Sequence, residues 1–240
     1  MNVEIQNDVY VILLLTAFLG GAMVICSKKI DRLDPFAKPK GLTAAVLIGV
    51  MSVYNTCVSN MGKRNGSRIT PYIVVLWTYI FLANTVSLFG LESPTANWSV
   101  TLLLALITWL LIQVVEFRYG GIRAYFHSFL EPLPFMLPMN IIGKFSTMFS
   151  MSLRLFGNIT CGGIMMQLVY NGAQLLSNYI AGIFAQTSVE VFNFMAPLLA
   201  PVLHAYFDVF AGFVQTLVFV TLTVVLIGND VPNEVKEKQV

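Results

Sequence analysis

Residues 139–176 read MNIIGKFSTMFSMSLRLFGNITCGGIMMQLVYNGAQLL, an apolar run broken by two cations, Lys144 near its start and Arg154 near its middle. It lacks the strict alternation of a barrel strand. It exceeds the roughly 20 residues that a perpendicular spanning helix needs, so it must tilt, bend or extend out of a bilayer. A second segment of this kind, residues 190–227, closes the chain. The pair predicts a C-terminal hairpin of two long tilted helices. The composition agrees: 57% of the residues are hydrophobic and 11% charged, against roughly 25% charged in soluble domains, and the mean hydropathy is +0.76. So few charges cannot cover a soluble surface of this size. They exclude a disordered chain and argue against a nucleic-acid-binding domain. Three cysteines in 240 residues make no disulfide framework.

The remaining elements follow from the hairpin toward the N-terminus. Residues 93–115 and 69–91 are charge-poor and long enough to span, with Pro94 in the turn between them. Residues 117–138, aromatic and rich in proline, read as a surface connection. Residues 41–61 carry no charge but are polar, with Ser52, Asn55, Thr56, Ser59 and Asn60, and are flanked by basic residues. An interfacial helix suits them; a polar span is the alternative. Residues 9–26 form the first span. The sequence thus predicts an all-α integral membrane protein, residues 1–240 as a single membrane domain: one N-terminal span, an interfacial helix, two further spans and the hairpin.

Lys28, Lys29, Arg32, Lys38, Lys40, Lys63, Arg64, Arg68, Arg118, Arg123, Lys236 and Lys238 fall in connections or at the C-terminus, whereas residues 1–8, 90–98 and 170–188 have no Lys or Arg. The positive-inside rule then puts the N-terminus outside and the C-terminus in the cytoplasm. Lys144 lies close enough to the inner surface to snorkel.

Arg154 and Asp208 do not fit this sorting, because both sit deep in the hairpin. An ionised side chain at the bilayer centre costs at least about 2.5–3.5 kcal/mol, and arginine cannot lose its proton. A functional role is the default reading; a purely structural pair with Asp208 is the alternative. At about 100° per residue, Asn140, Thr147, Ser150, Asn158 and Cys161 share the side of Arg154. Gly157, Gly162 and Gly163 beside this stripe let another helix approach. A packing seam explains the small residues, not the permanent cation. On the last segment Glu190, His204, Asp208 and Gln215 fall on one side, a pattern like a proton path, although Pro197 and Pro201 blur the phase. Nucleotide-binding, hydrolase and zinc signatures are absent.

Ser150-Met-Ser-Leu-Arg-Leu-Phe-Gly-Asn-Ile159 resembles the signature of subunit a of the rotary (F-type) ATP synthase membrane sector. Resemblance extends over about residues 75–228, through Phe81-Leu-Ala-Asn84, Pro94-Thr-Ala-Asn97 with Ser99-Val-Thr-Leu, Pro138-Met-Asn140 and Gln215-Thr-Leu-Val-Phe. The resemblance implies an ion-translocating stator in a bacterial plasma membrane, with two offset half-channels facing a rotating c-ring and no catalytic site, cofactor or metal of its own. It implies a c-ring, the peripheral-stalk subunit b, a catalytic head reached indirectly and the lipid bilayer as partners, with no nucleic acid. Arg154 matches the arginine that meets the rotor carboxylate, and Gln215 the glutamine near it. Asn158 and Asn84 match polar positions near the outer half-channel. Asp208 stands where the family has His or Glu, and Gly163 where many members have a titratable partner. Asn140 and Asn97 stand where acids are common. Proton and sodium both stay open. The competing readings are a secondary transporter with Arg154 binding an anionic substrate, which calls for inverted repeats, and an intramembrane enzyme using Asp208 and His204.

Overall fold

The computed structural model describes residues 7–31, 41–130, 134–185, 193 and 195–232. Helices account for nearly all of them, and no strand occurs among them. In order these are α1 (Asn7–Asp31), α2 (Leu42–Met61), α3 (Lys63–Thr85), α4 (Trp98–Leu130), α5 (Leu137–Ala185), α6 (Ala196–His204) and α7 (Gly212–Asn229). A π-helical segment, Ala205–Ala211, joins α6 to α7. Among the described residues five helices are long and apolar enough to cross a membrane: Val9–Asp31, Thr43–Met61, Lys63–Phe89, Trp98–Gly121 and Ala196–Asn229. The chain is an all-α integral membrane protein.

The helix α5 is the longest at 49 residues, roughly 70 Å at about 1.5 Å per residue, more than twice the ~30 Å hydrocarbon core. It is nevertheless outside the five apolar helices, because its polar stripe and its Gln and Asn residues dilute its hydropathy. A helix of that kind needs something other than lipid along its polar side.

Two core clusters hold the bundle. One gathers Leu76 and Ile80 of α3, Ala105 of α4, Met148, Met151 and Leu155 of α5, and Phe219 of α7. The other joins Cys57 and Met61 of α2 to Ile73, Ile112 and Val115, and to Val224, Ile227 and Val231 at the end of the last helix. Chain reversal between α2 and α3 turns on the single residue Gly62, with φ 81°. One turn later a Cβ on Gly66 would lie 2.8 Å from the Val58 backbone, so only glycine permits this approach.

Several boundaries differ from the sequence reading. The helix α3 starts at Lys63 rather than Ile69, because α2 packs against its basic first turns. Residues 94–96 form a 3-10 turn with Pro94 at its start, so α4 begins at Trp98 rather than Ser93. Residues 117–130 are helical, not an irregular connection; the helix breaks its line at Gly121 (φ 71°) and resumes. The segment 41–61, expected at the interface, has the lowest hydropathy of the five apolar helices, 1.3. Its last turns pack against α3 and the end of α7. Glu190 and the other residues from 186 to 192 lie outside the described residues.

Candidate functional site

The closing hairpin is drawn together at Asn193, whose amide nitrogen donates to the Tyr170 carbonyl (3.3 Å) and whose amide oxygen accepts from the Ala196 N–H (3.0 Å) and the Ser177 hydroxyl (3.3 Å). This sets α6 against the end of α5. A Cβ on Gly162 would lie 3.5 Å from the Phe207 ring, so the π-helical segment packs closely on α5 there. Gly162 is eight residues beyond Arg154, about 12 Å along the axis. Asp208, next to Phe207, is therefore displaced along the hairpin from Arg154.

Asp208 is buried, with 5% exposure. Its Oδ2 lies 2.6 Å from His204 Nδ1, and His204 Nε2 lies 3.2 Å from the Tyr170 hydroxyl. The two residues on one side of the last helix thus form a bonded pair, continued by a tyrosine that the sequence reading did not single out. The last helix widens to the π segment four residues after Pro201. Such single wide turns recur at functional sites. Gly163, the position of a titratable partner in the resemblance, faces open space: a Cβ there would meet nothing within 4 Å. The second titratable group comes instead from His204, on the same helix as Asp208.

A cavity of about 700 Å³ opens beside this group. The connection from Ser87 to Trp98 makes its rim, Asn158 to Gln167 of α5 its wall, and Phe207 and Asp208 its depth. Asn158 lies one turn from Arg154, and its Nδ2 is buried with no hydrogen-bond partner. Gln215 Nε2 on α7 is in the same state. Buried polar groups are seldom left orphaned without a reason, and each such loss costs about 1–3 kcal/mol. Phe219, one turn after Gln215, shares a core cluster with Leu155, the neighbour of Arg154. Gln215 and Arg154 are thus carried by facing helices at similar heights.

Asn84 has another environment. It is fully buried, donates to the Gly212 carbonyl at 3.3 Å and accepts from Thr95 at 2.9 Å. A Cβ on Gly212 would sit 3.1 Å from Asn84 Cβ. Asn84 ties α3 to the start of α7 behind the cavity and does not line it.

Arg154 is exposed and forms no ion pair or hydrogen bond among the described residues. The pairing with Asp208 that the sequence left open is not formed, since Asp208 bonds His204 instead. Ser150 on the same side of α5 is exposed as well, and Thr147 and Asn158 are half-buried there.

Near the start of α5 the sequence reading missed a polar cluster. Lys144 Nζ bonds Glu116 Oε1 of α4 at 2.5 Å and lies 4.4 Å from the Tyr125 ring centroid. The Lys144 carbonyl accepts from the Trp109 indole at 3.0 Å, and Tyr125 donates to Gln113 at 2.7 Å. Asp230, just past α7, has its carboxyl pushed up to about 6 by burial, with the Glu116 charge adding and Lys144 opposing. Cross-helix partners of this kind leave no periodic signal in the sequence.

Residues 9–228 match the family described as ATP synthase A chain. The chain is 28% identical over 228 residues to ATP synthase subunit a of Mycoplasmoides gallisepticum, covering 90% of this chain and 74% of that one. It is 33% identical over 199 residues to ATP synthase subunit a 2 of Pelobacter propionicus, covering 82% and 75%. It is 32% identical over 196 residues to the sodium ion specific ATP synthase subunit a of Propionigenium modestum, covering 75% of this chain and 58% of that relative's length.

Proposed function

Since the chain belongs to the ATP synthase A chain family, we propose that it is the stator subunit that conducts ions along two offset half-channels against a rotating ring of c subunits. The observation that carries this reading is the placement of Arg154. It is a permanent cation, exposed and without a partner among the described residues, one turn from Asn158, which lines the cavity. Lipid penalises such a charge; a carboxylate presented by a rotor satisfies it.

In this reading the cavity is the outer half-channel, the N-terminus is outside and the C-terminus is cytoplasmic, as the charge distribution favours. An ion passes the Ser87–Trp98 rim, reaches Asp208 and His204, and is handed past Asn158 to the rotor. The Asp208–His204 pair favours a proton as that ion, because a carboxylate and an imidazole 2.6 Å apart can hold a proton between them with no heavy-atom movement. Asn158 and Gln215 hold their unpartnered amides toward the rotor carboxylate and its water. Asn84 braces the start of α7, which carries Gln215. The second half-channel opens on the other side of Arg154, toward the cytoplasm.

Arg154 separates the two routes electrostatically. Unit charges about 4 Å apart attract by roughly 4 kcal/mol at an effective dielectric near 20, which favours the ionised rotor site as it passes and drives release of its ion. A charge falling through about 100 mV yields about 2.3 kcal/mol, comparable in size, so the membrane potential can move the rotor beyond this attraction. Subunit b and the catalytic head complete the assembly. The test is Arg154→Ala in the assembled enzyme: ATP synthesis driven by an ion gradient disappears while hydrolysis by the head persists. Full coupled synthesis in this variant removes the proposal.

A further inference from the structure

We propose that Glu92 is the carboxylate that gathers cations at the mouth of the cavity, an assignment that rests on reading this cavity as the outer ion route. Glu92 is exposed, stands in the connection between α3 and α4, and lines the rim of the 700 Å³ space whose depth ends at Asp208. Among the described residues the only other ionisable side chain lining that space is Asp208, and no Lys, Arg or His lines it. The connection itself, residues 90–98, carries no basic residue that could neutralise Glu92. The charge-bearing side chains that line the cavity are therefore both carboxylates, the deeper one bonded to His204. Clefts of one sign with low-dielectric walls concentrate the field and raise the local density of counter-ions.

The polar residues that line the space besides the two carboxylates, Ser87, Ser93, Asn97, Asn158, Thr160 and Gln167, are uncharged. Among the described residues Glu92 is thus the charge placed where an arriving cation meets this cavity first. It acts on capture of the ion and leaves the transfer past Arg154 untouched, so its removal must alter the ion concentration needed and not the maximal rate.

The experiment uses the whole synthase reconstituted in liposomes with its head outside, so that the cavity faces the lumen. ATP synthesis is followed while luminal pH is stepped, and in a second series while luminal Na⁺ is stepped at constant pH; the series that drives synthesis is read. Choline chloride sets ionic strength. At about 0.01 M salt, where the Debye length is ~30 Å, Glu92→Gln raises the half-saturating luminal ion concentration about three- to tenfold, the low end of electrostatic focusing. The maximal rate stays at wild type. Glu92→Lys raises it further, and Glu92→Asp stays near wild type. At about 1 M salt, where the Debye length is ~3 Å, the difference vanishes. An unchanged half-saturating concentration in Glu92→Gln at low salt overturns the proposal, and so does a deficit that persists at high salt, which marks a structural effect. Asp208→Asn runs in parallel. If it is impaired while Glu92→Gln is not, the assignment of Glu92 alone falls; if it too behaves as wild type, the cavity is not the ion route.

Discussion

Two cations lie ten residues apart on α5 and have opposite surroundings. Lys144 is tied to Glu116 of α4, covers the Tyr125 ring and offers its carbonyl to Trp109. Arg154 has no such partner among the described residues and is exposed. The first arrangement fastens helices within the chain. The second leaves a permanent cation without a partner among the described residues, a state that lipid penalises. The contrast also separates stability from function: the satisfied charge sits in a helix-to-helix contact, while the unsatisfied one sits beside the cavity and the two orphaned amides of Asn158 and Gln215.

The most direct way to break this contrast is to remove each cation in turn. Arg154→Ala should eliminate gradient-driven synthesis, while Lys144→Met should keep it; equal coupling in the two variants, measured as ATP formed per imposed gradient, would end the distinction. Next in size, Asp208→Asn should slow ion flux through the assembled membrane sector by roughly 10²-fold, the low end of what a positioned proton-transfer group contributes. Assembly should be intact, and a normal flux would reduce Asp208 to a packing partner of His204.

Smaller effects sharpen the Lys144 side. Lys144→Met leaves Glu116 without its partner in a half-buried place, with side-chain exposures of 23% and 20%. Its cost should be about 1–2 kcal/mol, between exposed and buried pairs, read as earlier thermal dissociation of the detergent-solubilised sector. Reversing both charges, Lys144→Glu with Glu116→Lys, should recover part of it; no recovery would show that the loss is one of packing. An effect of similar size belongs to Asp230. Its carboxyl is raised from 3.8 to about 6 in the fold, so the folded state holds the proton more tightly than the unfolded chain. Stability then falls as pH rises from about 4 through about 6. Asp230→Asn should flatten that slope and dissociate at a higher temperature than the parent at pH 7.5, with the two converging below pH 4. A parent without any slope in that window would place Asp230 in ordinary solvent.

Much of this was legible in the residues. Long charge-poor runs established the helical membrane class, and the isolation of Arg154 and Asp208 in apolar sequence marked the hairpin. The phase of the stripe through Thr147, Ser150, Arg154 and Asn158 could be counted, since a helix repeats at 3.6 residues. Counting also paired His204 with Asp208, which are bonded in the structure. It missed Tyr170, whose bond to His204 spans 34 residues, and the Glu116–Lys144 pair, which spans 28.

By itself the sequence determined the solvent of this protein, its helical class and the identity of the charge that lipid cannot satisfy, because hydropathy, period and permanent ionisation are properties of residues and their neighbours in the chain. The tertiary structure alone decided which charge is answered within the chain and which is not. Whether Asp208 meets Arg154 or His204, whether Asn84 lines the cavity or braces a helix, and whether Glu92 stands at a rim depend on how separate helices are packed. Packing is set by contacts between residues far apart in the chain, and no local pattern carries them.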